Sequence, residues 1–440
     1  MSQNTTSDIT GSSRRTFIGN CAALTGLSLL SSLPATAFAT GGSGSDRLKV
    51  GLVGCGGRGV GAVYDCLAAD PSVQIWALGD IFADRLAGAR RNFEKVMAGE
   101  QRHNQTMGPD RFAITDDRCF TGFNAFQGVI DSGIDLVILA TPPHFRPQHM
   151  EAAVQKGVHI FAEKPVAVDP VGVRRVMKVG ELAAEKKLSI VAGTQRRHDN
   201  GYQETMQRVL NGDIGELVAG QCYWMGGELW HHGRKPEWTE MEYQIRNWLY
   251  FTWLSGDHIV EQHIHNIDIM NWAFGGPPVK AVAMGGRQCR TDPKYGDAWD
   301  HFAVEYQYAN GVRVQSMCRQ TNETSFRVNE RLVGTLGTAV PNAITGKNPW
   351  KFQGKRNNPM IQEHVDLIAS IRNRVPLNEA KHVAESTLTA ILGRVSAYTG
   401  KEINYNWMLE ASKLDLTPER YEFGEAPAVI IPAPKITKLV

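Results

Sequence analysis

Glu261, His265 and Asp268 stand at i, i+4 and i+7, the spacing that puts three side chains on one face of a helix. A carboxylate beside an imidazole there can take up and return a proton. Lys164, set between an apolar stretch and Pro165, is a third such group once it is withdrawn from water at a domain junction. A different chemistry is written in "VGCGGRG", where Gly54, Gly56 and Gly59 satisfy G-x-G-x-x-G, with Gly57 and Arg58 in the same turn. The first glycine permits a tight turn, the second lets backbone approach a pyrophosphate, and the third allows close helix–strand packing. Proton-handling groups and a phosphate cradle in one chain point to hydride transfer.

Such groups need a scaffold that delivers them together. Apolar runs at Leu48 to Val53, Val73 to Leu78, Ile134 to Ala140 and Val158 to Ala162 alternate with helical stretches at Val60 to Leu67, Ile81 to Met97 and Gln148 to Lys156. That alternation predicts a parallel sheet wound by right-handed crossovers. The glycine turn then leaves the first strand, and the following helix aims its unpaired amides at the phosphates. Asp80, ending the second strand, is placed to accept from ribose hydroxyls; it would repel a 2′-phosphate and so favours NAD, while Arg58 and Arg85 keep NADP as an alternative. Thr141, Pro142 and His144 after the third strand, and Glu163 and Lys164 after the fourth, complete the expected cofactor contacts.

Beyond Gly193 the pattern changes. A helix from Gly201 to Leu210 and strands at Glu216 to Trp224, Val279 to Met284, Phe302 to Tyr308 and Val312 to Arg319 predict an open, mostly antiparallel sheet. A helix over Asp257 to Phe274 carries the Glu261 face, and helices at Gln362 to Ile371 and Ala380 to Ala397 follow. The fold class is α/β, an N-terminal doubly wound Rossmann sheet with a C-terminal α+β domain. Expected boundaries are 46–165 for the nucleotide domain, 166–400 for the substrate and oligomerisation domain, with its later helices able to pack back on the first, and 401–440 for a proline-rich extended tail.

"TPPHFRPQHMEAAVQKGVHIFAEKP", "GTQRRHDNGY" and "VEQHIHNIDIMNWAFG", in that order, resemble the glucose-fructose oxidoreductase and inositol dehydrogenase (Gfo/Idh/MocA) family over residues 48 to 400. The resemblance implies that Glu163, Lys164 and Pro165 match the family's E-K-P turn, and that His265 sits beside the substrate hydroxyl with Lys164 completing the acid/base set. Glu261 stands where the family has Asp, which lengthens that side chain by one methylene. A homodimer or homotetramer through the open sheet is also implied.

Six of the ten tryptophans, Trp224, Trp230, Trp238, Trp248, Trp253 and Trp272, fall in one window near that helix. Indole faces stack on the C–H face of a pyranose while polar neighbours bind its hydroxyls. Trp224 and Trp230, with Arg196, Arg197, His198, Glu228, His231 and His232 as polar partners, are therefore expected carbohydrate contacts, to which the family resemblance adds Asp268; a subunit contact is the other reading of the cluster. Were Glu261, His263 and His265 on a strand they would project together and could hold zinc; on a helix His263 points away, and no metal is expected.

The bulk numbers narrow the class. The chain has 440 residues, a net charge of +2 and seven cysteines without a C-x-x-C pair. Nucleic-acid binding, an anionic membrane partner, a zinc ribbon and a disulfide scaffold are not indicated. Arg14-Arg15, an uncharged run from Cys21 to Leu33 and Ala37-Phe38-Ala39 match a twin-arginine export signal over 1–39, with the translocase as transient partner, a periplasmic destination and no membrane anchor afterwards. That route carries folded proteins to a place without free NAD, so the cofactor is expected to be tightly bound and recycled in place. The expected activity is hydride transfer to or from a sugar or glycoside hydroxyl. A redox-neutral glycosidase working by transient C3 oxidation and elimination, and a non-catalytic sugar-binding protein, are the alternatives.

Overall fold

The structure, a computed structural model, describes residues 47–440. The export segment expected at 1–39 lies outside the described residues. Strands β1 (Leu48–Val53), β2 (Val73–Asp80), β3 (Cys119–Thr121), β4 (Leu136–Leu139), β5 (His159–Ala162) and β6 (Ile190–Ala192) form one parallel sheet in the order β3-β2-β1-β4-β5-β6. The order reverses between β1 and β4, which opens a crevice at the carboxyl end of β1, where the glycine turn begins. Both faces are covered, by α1 (Gly57–Ala69), α2 (Ala83–Met97), α3 (Ala125–Asp131), α4 (Arg146–Lys156) and α5 (Pro170–Glu185). The strands consequently read as unbroken apolar runs, and Leu136–Leu139 is buried at every position. β3 and β6 are three residues each and left no apolar run long enough to find; β6 carries the parallel sheet beyond the boundary expected at residue 165.

After α6 (Asn200–Leu210) comes a nine-stranded sheet. Its members are β7 (Leu217–Gly226), β8 (Lys280–Gly286), β9 (His301–Gln307), β10 (Arg313–Gln320), β11 (Arg327–Gly334), β12 (Gly337–Val340), β13 (Ala343–Gly346), β14 (Trp350–Lys351) and β15 (Ile403–Asn404), in the order β14-β13-β12-β11-β7-β10-β9-β8-β15. Only β7 and β10 run parallel, and the rest pair antiparallel, β9 and β10 through the Ala309-Asn310-Gly311 turn. One face is covered, so burial alternates along β9, with Phe302, Val304 and Tyr306 inward.

Between β7 and β8 lie α7 (Glu240–Arg246), α8 (Thr252–Ser255), α9 (His258–Glu261) and α10 (Ile264–Phe274). The single helix expected over 257–274 is thus broken at Gln262 and His263. It is preceded by Asp257 at φ +67°, whose buried carboxylate accepts from the His258 and Trp299 amides and the Tyr398 hydroxyl. Helices α11 (Pro359–Arg372) and α12 (Ala380–Thr399) pack back on α1 and α5 respectively, joining the two halves. α13 (Tyr405–Glu410) follows β15, and residues 411–440 run without helix or strand along their own chain. Trp299 donates to the Pro432 carbonyl and Ser412 to that of Val440. Among the described residues the six cysteines are all free, and no helix is long and apolar enough to cross a membrane.

Candidate functional site

Gly54 leaves β1 at φ +97°, a left-handed conformation that glycine adopts without the steric cost of a Cβ. A Cβ on Gly59 would stand 1.9 Å from the Gly54 carbonyl oxygen, so α1 can pass this close to the turn only with glycine there. Gly56 and Gly57 face open space. Gly56 caps α1 without any side chain bonding to the first-turn amides, which leaves them available to an anion. The turn opens on a cavity of about 400 Å³ whose lining includes Gly54, Gly56, Gly57, Arg58, Gly59, Asp80, Thr141 and Pro142. The donors and the shape fit a dinucleotide pyrophosphate, and Asp80 stands at the adjacent strand end. Its Oδ2 accepts from the Cys55 amide at 2.7 Å and its Oδ1 from the Phe82 amide at 2.9 Å. Burial raises the Asp80 pKa, against those two donors.

Arg58 does not reach toward a 2′-phosphate as one expectation had it. Its guanidinium is committed to Glu163, to Asp65 at 3.0 Å and to Glu363 at 3.4 Å. Burial opposes the cation, but these carboxylates, Glu163 foremost, outweigh it and raise its pKa. Arg85 remains on the cavity wall. Glu163 is thus a partner of Arg58 behind the wall, not a lining residue.

The proton-handling groups meet at the joint between the two halves. Lys164, two residues beyond β5 and joined to Pro165 by a cis peptide bond, donates to the Glu261 backbone carbonyl and stands 3.2 Å from both its carboxylate oxygens. His265, in the first turn of α10, stacks on Trp224 of β7 with ring centroids 5.8 Å apart and planes 23° apart. Among the described residues no protein group hydrogen-bonds either nitrogen of that ring. Burial, then the charges of Lys164 and Arg196, hold the His265 pKa well below the ordinary imidazole value. Burial pushes the Glu261 carboxyl up, and Lys164 pulls it only part of the way back. Lys164 acts on both, so a carboxyl held high and an imidazole held low share one ammonium, an environment suited to acid/base groups. Arg146 ties this cluster to the cavity by donating to the Pro165 carbonyl and, at 2.6 Å, to that of the lining residue Thr141. Sequence reading missed Arg146, because nothing local marks an arginine that will be buried between two carbonyls far apart in the chain.

Other expected site residues have different partners. Asp268 does not join Glu261 and His265: it accepts from Arg197 at 2.8 and 2.9 Å and from the Ser386 hydroxyl at 2.7 Å, which occupies a buried carboxylate. Arg196 pairs with Glu330 of β11, to which Tyr202 and Asn266 also donate. His198 lies 2.6 Å from Asp366 and 3.3 Å from Glu379. These three basic residues bolt the end of β6 to the C-terminal half. His144 is buried among Phe145, Trp253 and Tyr421, its Nε2 2.7 Å from the Tyr421 hydroxyl; it does not line the cavity, whereas its neighbours Phe145 and His149 do.

The tryptophan cluster divides. Trp253 is buried and donates to Gln244, Trp272 lies under Arg197, and Trp238 lies under Arg246. Trp230 and Trp248 line the cavity, which leaves Trp224 alone beside His265. His263 points away from His265, to Ser316 Oγ at 2.7 Å.

Two family models match the chain in order: "Oxidoreductase family, NAD-binding Rossmann fold" over residues 48–194 and "GFO/IDH/MocA C-terminal domain" over 202–340. An inositol 2-dehydrogenase of Saccharopolyspora erythraea is 23% identical over 291 residues, 66% of this chain and 72% of that one. A 2,7-anhydro-N-acetylneuraminate hydratase of Mediterraneibacter gnavus is 24% identical over 177 residues, 40% of this chain; the match spans less than half of the relative, 43%. The fold is that of scyllo-inositol dehydrogenase from Lactobacillus casei, solved with NAD(H) and scyllo-inositol (TM-score 0.60, 18% identity, 82% of this chain and 99% of that one). It is also that of an aldose-aldose oxidoreductase from Caulobacter crescentus (TM-score 0.62, 15% identity, 81% and 99%). With both domain models matched in sequence and both sheets in place, the chain belongs to the Gfo/Idh/MocA family of oxidoreductases.

Proposed function

We propose that this protein transfers hydride between a carbohydrate hydroxyl carbon and a tightly held nicotinamide dinucleotide. The observation that carries the reading is the Lys164–Glu261 pair beside a His265 ring whose nitrogens have no protein partner, joined through Arg146 to the glycine-lined cavity. A bound nicotinamide would supply the hydride acceptor. Lys164, held by two Glu261 oxygens and a carbonyl, is fixed in position to hydrogen-bond the substrate oxygen, and His265 is kept neutral and so able to accept the hydroxyl proton. Trp224 holds the imidazole plane and offers an apolar edge to a sugar ring. Asp80 supports NAD over NADP; Arg85 on the cavity wall is the group that would favour NADP.

A carbohydrate substrate is supported by the relatives named inositol 2-dehydrogenases. The hydratase relatives favour a second reading, in which transient oxidation acidifies a neighbouring C–H and a glycosidic bond is eliminated without net redox change. Export by the twin-arginine route, supported by Arg14-Arg15 and the Ala37-Phe38-Ala39 site, supplies the reason for a captive cofactor. Exposed Val218, Val282 and Met284 on the nine-stranded sheet support a homodimer or homotetramer through that face.

The test begins with the exported form, denatured and assayed for released dinucleotide. Native protein is then incubated with sugars and aryl glycosides while nicotinamide absorbance is followed. A lasting absorbance change supports net oxidation, and aglycone release without one supports the redox-neutral route. Turnover by protein free of dinucleotide refutes both.

A further inference from the structure

The segment between β7 and α8 returns from the C-terminal half to the residues just beyond β2. His232 Nε2 lies 3.2 Å from Arg85 Nη2. Arg246 sits 3.9 Å over the Phe82 ring and donates to Asp84 at 2.9 and 3.1 Å. Trp230 and Trp248 meet edge to face, centroids 6.4 Å apart, and line the same cavity as Asp80, Phe82 and Arg85. With the pyrophosphate at the glycine turn and a ribose at Asp80, this is the adenosine end.

The C-terminal tail reaches the same wall from behind. Phe423 lies 5.9 Å from Phe82, stacked, and 5.2 Å from Phe123, while Tyr421 lies 5.9 Å from Phe145. Phe82, Phe123 and Phe145 all line the cavity. Tail and segment are also bonded to each other: Met241 donates its amide to the Gly424 carbonyl at 3.0 Å, and Gln244 donates to that of Pro427 at 3.1 Å.

We propose that residues 227–250 and the tail form a clasp on the adenosine half of the dinucleotide. Trp230 and Trp248, whose rings meet edge to face, offer the purine one indole face braced by the edge of the other, and Phe423 buttresses the wall from outside, so that the cofactor stays through many turnovers. This rests on the dinucleotide reading above and assigns tight retention to particular side chains. Trp230, expected from the sequence to meet a sugar, becomes a cofactor contact.

Full-length protein is loaded with NADH and diluted into excess NAD, and the NADH still bound is measured after rapid desalting. Trp230→Ala and Trp248→Ala should each release it about tenfold faster, since one removes the base–aromatic stack and the other the ring that braces it. Phe423→Ser, at a half-exposed position that touches no cofactor, should quicken release several-fold, and Trp248→Phe should restore most of the retention. Affinity for nicotinamide mononucleotide, which has no adenosine, should be unchanged in all four variants. Unaltered release rates, or mononucleotide affinity falling in parallel, overturn the clasp while leaving NADH binding intact. Wild-type protein that binds no NADH overturns the dinucleotide reading and the clasp with it.

Discussion

The Lys164 ammonium stands 3.2 Å from both carboxylate oxygens of Glu261 and donates to that residue's own backbone carbonyl as well. One residue therefore fixes the lysine with its main chain and its side chain at once. The extra methylene of Glu261 lets the carboxylate turn back toward its own helix end, where a shorter aspartate would have less reach. Because α9 ends at Glu261, that carbonyl is among those a helix terminus leaves unbonded, and it is free to accept.

In the proposed reaction Lys164 orients the substrate oxygen, and its replacement removes that group. Lys164→Met should lower kcat by about 10²- to 10⁴-fold, the usual range for a positioned acid or base. Dinucleotide content, read by absorbance of denatured protein, should stay that of wild type, because Lys164 does not line the cavity. Unchanged turnover removes the lysine from the reaction.

The low pKa of His265 comes first from burial and then from Lys164. Ring-nitrogen NMR titration should show His265 neutral well below the pH at which an exposed imidazole charges. In Lys164→Met its midpoint should move upward, since a neighbouring positive charge is gone. A midpoint that does not move places the two groups out of electrostatic contact.

Asp268 and Arg197 make opposite predictions under a structural and a substrate-binding role. Asp268→Asn leaves a buried guanidinium facing an uncharged partner, and breaking such a pair costs about 3–5 kcal/mol. The urea midpoint should fall accordingly, with KM almost unchanged in protein that remains folded. A raised KM at wild-type stability returns Asp268 to the substrate.

Burial disfavours charge on His198, yet Glu379 and Asp366 outweigh it and raise its pKa to about 10. A folded-state pKa above the unfolded value of about 6.5 contributes stability that is complete below that pH and is lost as pH rises toward 10. Urea midpoints measured from pH 6 to pH 10 should decline in wild type, and the decline should be shallower in His198→Gln. Parallel curves contradict the assignment.

Taken alone, the sequence determined the parallel half, the glycine turn, Asp80 and the Lys164 turn, because each depends on residues near one another in the chain. Leu48–Val53 was bounded correctly since both faces of that strand are covered and the apolar run is continuous. The same locality explains the turn: Gly54 is required by its own positive φ, and Gly59 by its approach to the Gly54 carbonyl five residues earlier. What the tertiary structure decided are partners brought from far away. The basic run at 196–198 looks the same in one dimension whether it faces a sugar or the carboxylates of Glu330, Asp268 and Asp366, which lie 71 to 168 residues downstream. Trp230 and Trp224 are only six positions apart, yet one lines the cavity and the other stacks on His265, because β7 ends between them and the chain turns away. Burial and charge pairing are properties of three-dimensional proximity, so a single sequence names the groups able to do chemistry and folding selects which of them are left free to do it.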